Sequence, residues 1–232
     1  ITNSKVTGKE YIGGLAGRYG DCDYCVVDNV EVTGVNYIGG LFAEGIDYCY
    51  GSIVKNTKVS GVKSVGGVAG VGKNMYDTYI FDSEVYGLGT DSLYVGGLFG
   101  SSSSTISRCG VHNTKIETDG NSAGIIGGSI SSSTIAYSYI HESSVTRRNN
   151  IGGVAGFNKR GRIYNDIIST SNVVASEKGA GGLYGYIDNS EYESGYFNNV
   201  LMTSMNITAG SYAGGIYGYK EDLLANLNSI YS

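Results

Sequence analysis

The sequence predicts an all-β fold: a parallel β-solenoid (β-helix) of about eight coils, with three short strands in each coil. Three observations carry this expectation. A Gly-Gly phrase recurs from one end of the chain to the other, and its period matches one solenoid coil. The 232 residues also contain no proline, which suits a body of near-continuous strand pairing, because proline cannot donate to a ladder.

The phrase is first met as Tyr11-Ile-Gly-Gly-Leu-Ala-Gly17 and returns at 37–43, 64–70, 94–100, 150–156, 179–185 and 212–218. A degenerate copy, Asn121-Ser-Ala-Gly-Ile-Ile-Gly127, fills the remaining gap. Counted from the first residue of each Gly-Gly slot (13, 39, 66, 96, 123, 152, 181, 214), the steps are 26, 27, 30, 27, 29, 29 and 33. A propeller blade needs about 40 residues, and a leucine-rich repeat would show Leu-x-x-Leu-x-Leu, so a solenoid is the architecture left. Eight coils at about 4.8 Å make a rod of roughly 38 Å. Parallel crossovers are overwhelmingly right-handed, so a right-handed coil is expected. Residues 1–232 form one repeat domain in which each unit touches its neighbours.

Within a unit the first strand surrounds a small polar residue, as in Val27-Asp-Asn-Val-Glu-Val-Thr33, 54–60, 80–86 and 111–117. Val6, Val32, Val59, Val85, Ile116, Val145 and Ile207 are expected to stack as one buried column. Three residues before each lie Asn3, Asn29, Asn56, Asp82, Asn113, Glu142 and Ser204, a column able to hydrogen-bond along the axis like an Asn ladder. The Gly-Gly phrase is the second part. The apolar residues at 12 and 15 have opposite strand parity, so the glycines are expected to bend the strand, by positive φ or close backbone approach. A variable segment follows, and then a third short strand, as at 78–80, 133–135 and 162–164.

Composition narrows the function. A net charge of −5 argues against a phosphate-backbone binder, so no nucleic-acid partner is expected. No apolar run of about 18 residues exists, and no membrane insertion is expected. Both termini read as interrupted repeats, from which a longer parent protein is expected.

The Gly-Gly-Leu-x-Gly phrase, with Asn56-Thr-Lys-Val-Ser-Gly61 one half-repeat away, resembles the GLUG-motif repeat family over essentially the whole chain. The resemblance implies a bacterial cell-surface or secreted protein with an adhesive or spacing role. Such repeats occur in adhesins and beside the catalytic part of IgA-specific metalloendopeptidases. The resemblance brings no catalytic residue and no cofactor.

Candidate chemistry is sparse. His141-Glu142 begins the zinc-protease phrase His-Glu-x-x-His, but Val145 stands where the second histidine belongs, and His112 is the only other histidine. Cys22-Asp-Tyr-Cys25 has metal and redox spacing, yet only Cys49 and Cys109 remain, so a zinc site is disfavoured. The echo of Asp23-Tyr-Cys25 in Asp47-Tyr-Cys49 admits a disulfide from Cys25 (or Cys22) to Cys49. Free core thiols are the competing reading. Asp21 with Asp23, Glu191 with Glu193, and Glu221 with Asp222 pair acids in loops, without the opposed acid and base that glycoside cleavage requires. Ser101–Thr105 and Ser131–Thr134 read as exposed loops, and Arg147, Arg148, Lys159, Arg160 and Arg162 as a solvated basic cluster. Tyr11, Tyr37, Tyr94 and Tyr212 all precede the Gly-Gly slot by two. An outward row of them would stack on a host glycan or protein, and simple packing is the alternative. The leading expectation is a non-catalytic adhesive or spacer module. An accessory region of a surface metalloendopeptidase and a carbohydrate-active β-helix enzyme are the alternatives.

Overall fold

A computed structural model describes residues 1–18, 21–44, 47–188, 196–220 and 230–231. Those residues form a parallel β-solenoid, and no helix occurs among them. Each coil carries five short strands where the sequence suggested three. In one coil these are Lys58–Gly61, Lys63–Gly66, Ala69–Gly72, Asn74–Tyr76 and Tyr79–Phe81. The next coil then opens with Glu84–Gly87, in register on Lys58–Gly61. Strands of successive coils stack into five ladders. The second and third ladders are sheets of eight strands, one from each Gly-Gly phrase, and the fourth has seven. The first and fifth merge into one 15-stranded sheet through Val26–Thr33, which closes one coil and opens the next.

The extra divisions come from corners in the left-handed region. Between the fifth and first ladders lie Asn3, Asn29, Asn56, Asp82, Asn113, Glu142, Thr170 and Ser204, with φ between 43° and 53°. Asn and Asp tolerate this conformation because their short polar side chains bond locally. The expected polar column is therefore a column of corners, with Thr170 completing it. Its axial bonding is partial: Asn29 Nδ2 donates to Asn3 Oδ1 at 2.7 Å and Asn113 to Asp82 at 2.6 Å, while Asn56 reaches Asp28. Between the fourth and fifth ladders stand Tyr24, Gly51, Asp77, Arg108, Tyr137, Asn165 and Asn199, with φ between 48° and 60°.

After each such corner the next residue turns inward, and it is usually a buried hydroxyl. Following the Asn column these are Thr57, Ser83, Thr114, Ser143 and Ser171. Each of these hydroxyls bonds its own coil, and all but Thr114 also receive an amide from the previous one. Thr57 Oγ1 donates to its own coil at Lys55 O (2.8 Å), and Ser83 Oγ donates to Phe81 O (2.6 Å) while accepting Thr57 N from the previous coil (3.1 Å). Ser143 and Ser171 repeat the pattern, and Thr114 keeps the bond to its own coil. The corner turns one amide out of the backbone ladder, and the hydroxyl of the next coil receives it. A buried amide left alone would cost about 1–3 kcal/mol. The other corner uses Ser52 and Ser138 in the same way, with Cys25, Thr78 and Cys109 in the same column and Thr78 Oγ1 donating to Tyr76 O.

The Gly-Gly phrases bend as expected, but not through positive φ. A Cβ on Gly39 would strike Phe42 O, and one on Gly40 would strike Gly67 O of the next coil. These glycines are there for close backbone approach. The positive φ sits two residues before the first glycine, at Tyr11, Tyr37, Ser64 and Asn150. Pairing also corrects the degenerate copy. Val95 faces Ala123, and Gly96 faces Gly124. The slot is thus Gly124-Ile125, and the steps become 28 (96 to 124) and 28 (124 to 152). Ile125 in the second glycine position is fully buried.

The core is a set of apolar columns. Val6, Val32, Val59, Val85, Ile116, Val145, Val173 and Ile207 pair in sequence down the first ladder, with Val173 filling the place left between Val145 and Ile207. Volumes alternate where rings enter: Phe99 lies between Ala69 and Gly127, and a Cβ on Gly127 would meet the Phe99 ring.

One rung breaks the hydroxyl pattern. Asp166 occupies the inward position held by Ser138 one coil earlier and is 1% exposed. Its Oδ1 accepts Ser138 N at 2.6 Å, as a serine hydroxyl would, and its Oδ2 has no hydrogen-bond partner. Burial pushes this carboxyl up to about 7. Between pH 4 and 7 the folded chain holds a proton that the unfolded chain has released, so stability falls as pH rises through that window and levels off above it. At ~1.4 kcal/mol per unit, the whole effect is at most about 4 kcal/mol. In urea melts of wild type and Asp166→Ser at several pH values, the variant should gain on wild type from pH 4 to 7 and hold its lead at pH 8. A difference that does not change with pH would refute a neutral buried carboxyl.

Candidate functional site

Aromatic side chains pair at several places on the outer face. Tyr11 and Tyr37 stack at 5.0 Å and 8°, with the Arg18 guanidinium 4.5 Å from the Tyr11 ring centre. The row then breaks. Ser64 takes the next place, Tyr94 pairs with Ser122, and Asn150 and Gly179 precede Tyr212. The four tyrosines at this offset therefore do not line one surface. Of the two tyrosines that follow the glycines in the last two phrases, Tyr184 is fully buried, and burial with the nearby Asp166 holds its phenol well above the ordinary range.

A different set converges. Phe157, Tyr186 and Tyr219 occupy equivalent places in Ala155–Lys159, Tyr184–Ile187 and Tyr217–Lys220 of the third ladder. Phe157 stacks on Tyr186 at 5.6 Å, and Tyr186 on Tyr219 at 5.7 Å. Tyr212 leans on Tyr219 at 5.3 Å and 44°. With Asn150 and Lys178 these tyrosines line a cleft of about 290 Å³. Tyr212 is 50% and Tyr219 40% exposed. The half-exposed Tyr212 ring can stack on a sugar, while the phenol edges of Tyr186 and Tyr219, the Asn150 amide and the Lys178 ammonium can hydrogen-bond its hydroxyls. Sequence reasoning found Tyr212 but missed Tyr186 and Tyr219. The signal was present, because Phe157, Tyr186 and Tyr219 all fall five residues after the first glycine of their slot (152, 181, 214).

A second aromatic group gathers where the fourth ladder meets its corner. Tyr48 contacts Tyr50 and Tyr76, and the highly exposed Tyr24 meets Tyr50 edge-on. Arg108 grips Asp77 through two bonds of 2.8 and 2.6 Å beside Tyr76.

The disulfide to Cys49 that the sequence admits does not form from Cys25, nor from Cys22, although Cys22 and Cys49 are register partners. Cys25 is bonded to Cys22, with Cα atoms 6.0 Å apart, and Cys49 and Cys109 are free and buried. For Cys25 the reason lies in the columns. Cys25 follows the Tyr24 corner, so its neighbour one coil on is Ser52, while Cys49 sits in the fourth ladder with its sulfur 3.5 Å from Thr78 Oγ1. Burial raises both free thiols, Cys109 to about 12.

Other candidates fall away or move. Arg148 pairs with Glu177 at 2.8 Å and Lys159 with Asp188 at 3.8 Å, so those two charges of the basic cluster engage acids of the next coil. Asp21 accepts the Tyr48 amide. Ser102 and Ser133 are buried and bonded to each other's coil, so the serine runs are not simply exposed loops. Glu191, Glu193, Glu221 and Asp222 lie outside the described residues. Among the described residues, one group of three ligating side chains comes together: His112, His141 and Glu142.

Comparison of the chain with protein-family models, with curated proteins and with solved structures returned no match.

The cysteine assignment is tested with a chromogenic disulfide. Native protein at pH 8 should react negligibly, denatured protein should titrate two thiols, and reduced denatured protein four. Four thiols without reduction would disprove the Cys22–Cys25 bond.

Proposed function

We propose that this chain is a non-catalytic adhesive module of a bacterial cell-surface or secreted protein, binding a host glycan through the aromatic cleft of Tyr186, Tyr212 and Tyr219. One observation carries the reading: three tyrosines from separate segments converge on an open cleft with an amide and an ammonium at its edge. Rings fixed by stacking in successive coils lose little freedom on binding, which favours recognition of a flat ligand. The GLUG-like repeats support the extracellular bacterial setting and a rod-like spacer role alongside adhesion.

The test is a pair of arrays, one of glycans and one of host proteins, probed with wild type and with Tyr212→Ala. Glycan binding weakened about tenfold by the substitution is expected, the scale of one lost aromatic stack of about 1–1.5 kcal/mol. Silence on both arrays would reduce the role to spacing. Binding indifferent to Tyr212→Ala and Tyr186→Ala would move it off this cleft.

A further inference from the structure

We propose that His112, His141 and Glu142 form a surface site for a divalent transition-metal ion of the zinc class, joining two adjacent coils. This goes beyond adhesion and does not depend on the aromatic cleft. The chain contains only two histidines, and the solenoid lays one directly on the other. His112 ends Gly110–His112, His141 ends Tyr139–His141, and the two are register partners in the fifth ladder, with ring centres 5.2 Å apart.

Glu142 follows at the corner, with φ 48°, where the equivalent residues are mostly Asn or Asp. Its longer side chain brings a carboxylate to both rings. Oε2 lies 3.7 Å from His112 Nε2, and Oε1 lies 3.4 Å from His141 Nε2. All three donor atoms fall within 4.8 Å of one another. Ligands at 2.0–2.1 Å around a tetrahedral ion are about 3.3 Å apart, so a small turn of the Glu142 carboxylate, bringing one oxygen between the two nitrogens, is needed to close the site. The donor set of two imidazoles and a carboxylate is one that zinc accepts, and it leaves a fourth position open.

A supporting contact points to the same assignment. His141 Nδ1 sits 2.8 Å from Ser169 Oγ, one coil further on. With Nδ1–H donating to that hydroxyl, Nε2 keeps its lone pair toward Glu142, the outer arrangement that orients ligating imidazoles. On the other side, the Phe81 ring packs against His112 at 6.1 Å and limits its swing. The side chains are 34%, 40% and 52% exposed for His112, His141 and Glu142, so an ion can enter from solvent and substitutions there spare the core.

The experiment uses zinc(II) and cobalt(II) as probes, with protein carrying no polyhistidine tag. Calorimetric titration at pH 7.5 should give one equivalent bound with micromolar affinity, and cobalt should develop the visible absorption of low coordination. His112→Ala and His141→Ala should each weaken binding more than tenfold, and Ser169→Ala should weaken it less. Zinc should raise the melting temperature of wild type but not of the double histidine variant, because an ion bound only by the folded state stabilises it. Circular dichroism and the zinc-free melt confirm that the variants remain folded. Absence of binding, or binding unchanged in His112→Ala and His141→Ala, would overturn the site.

Discussion

Every coil of this molecule depends on one local problem, the amide that a left-handed corner turns away from its ladder. A parallel solenoid must close its coil in a few residues, and corners such as those at Asn56 and Asp77 do so. Each leaves the following N–H pointing along the axis within the core. The hydroxyls of Thr57, Ser83, Ser52 and Ser138 receive these amides and return a bond to their own coil. Buried polar groups are tolerable when both their donor and acceptor are used. Alignment of the corners then fixes the register of the strands between them, and with it the Val column and the glycine bends.

That constraint explains how far the sequence was readable. The repeat period, the parallel solenoid, the Val column and the polar column ending in Ser204 were legible because each recurs once in every repeat, the polar residue always three before the apolar one. The inner hydroxyls were not. A serine or threonine beside an asparagine looks like surface, and only the corner's geometry turns it inward. The fivefold division of the coil was hidden for the same reason, since Tyr24, Arg108 and Tyr137 carry no sequence mark of positive φ. The slip at Gly124 shows the limit of motif matching: Ala123 resembles a glycine in size, but pairing places it opposite Val95.

Both candidate sites share one origin in the stacking. Phe157, Tyr186 and Tyr219 line up along the axis, not along the chain, and so do His112 and His141, which stand 29 residues apart, one coil of that region. The His-Glu-x-x-His comparison looks along the chain, and so it passes over a pair formed across it. In a solenoid the informative neighbour of a residue is the one a period away. The disulfide runs against this rule: Cys22 bonds Cys25, three residues along the chain, although its register partner one coil on is Cys49. Cys25 and Cys49 are separated by 24 residues, short of a period, and the mismatch puts them in different columns.

Asp166 has a mechanical meaning as well. In a stack where each coil holds only its neighbours, strength under load is set by the weakest rung and not by the average. The Ser138–Asp166 rung exchanges a two-way hydroxyl for a carboxyl with one idle oxygen. It stands between the coils bearing the histidine pair and the coils that complete the aromatic cleft. Tension applied along the rod in mildly alkaline surroundings would concentrate its yielding there, dividing the rod into two segments that part as units.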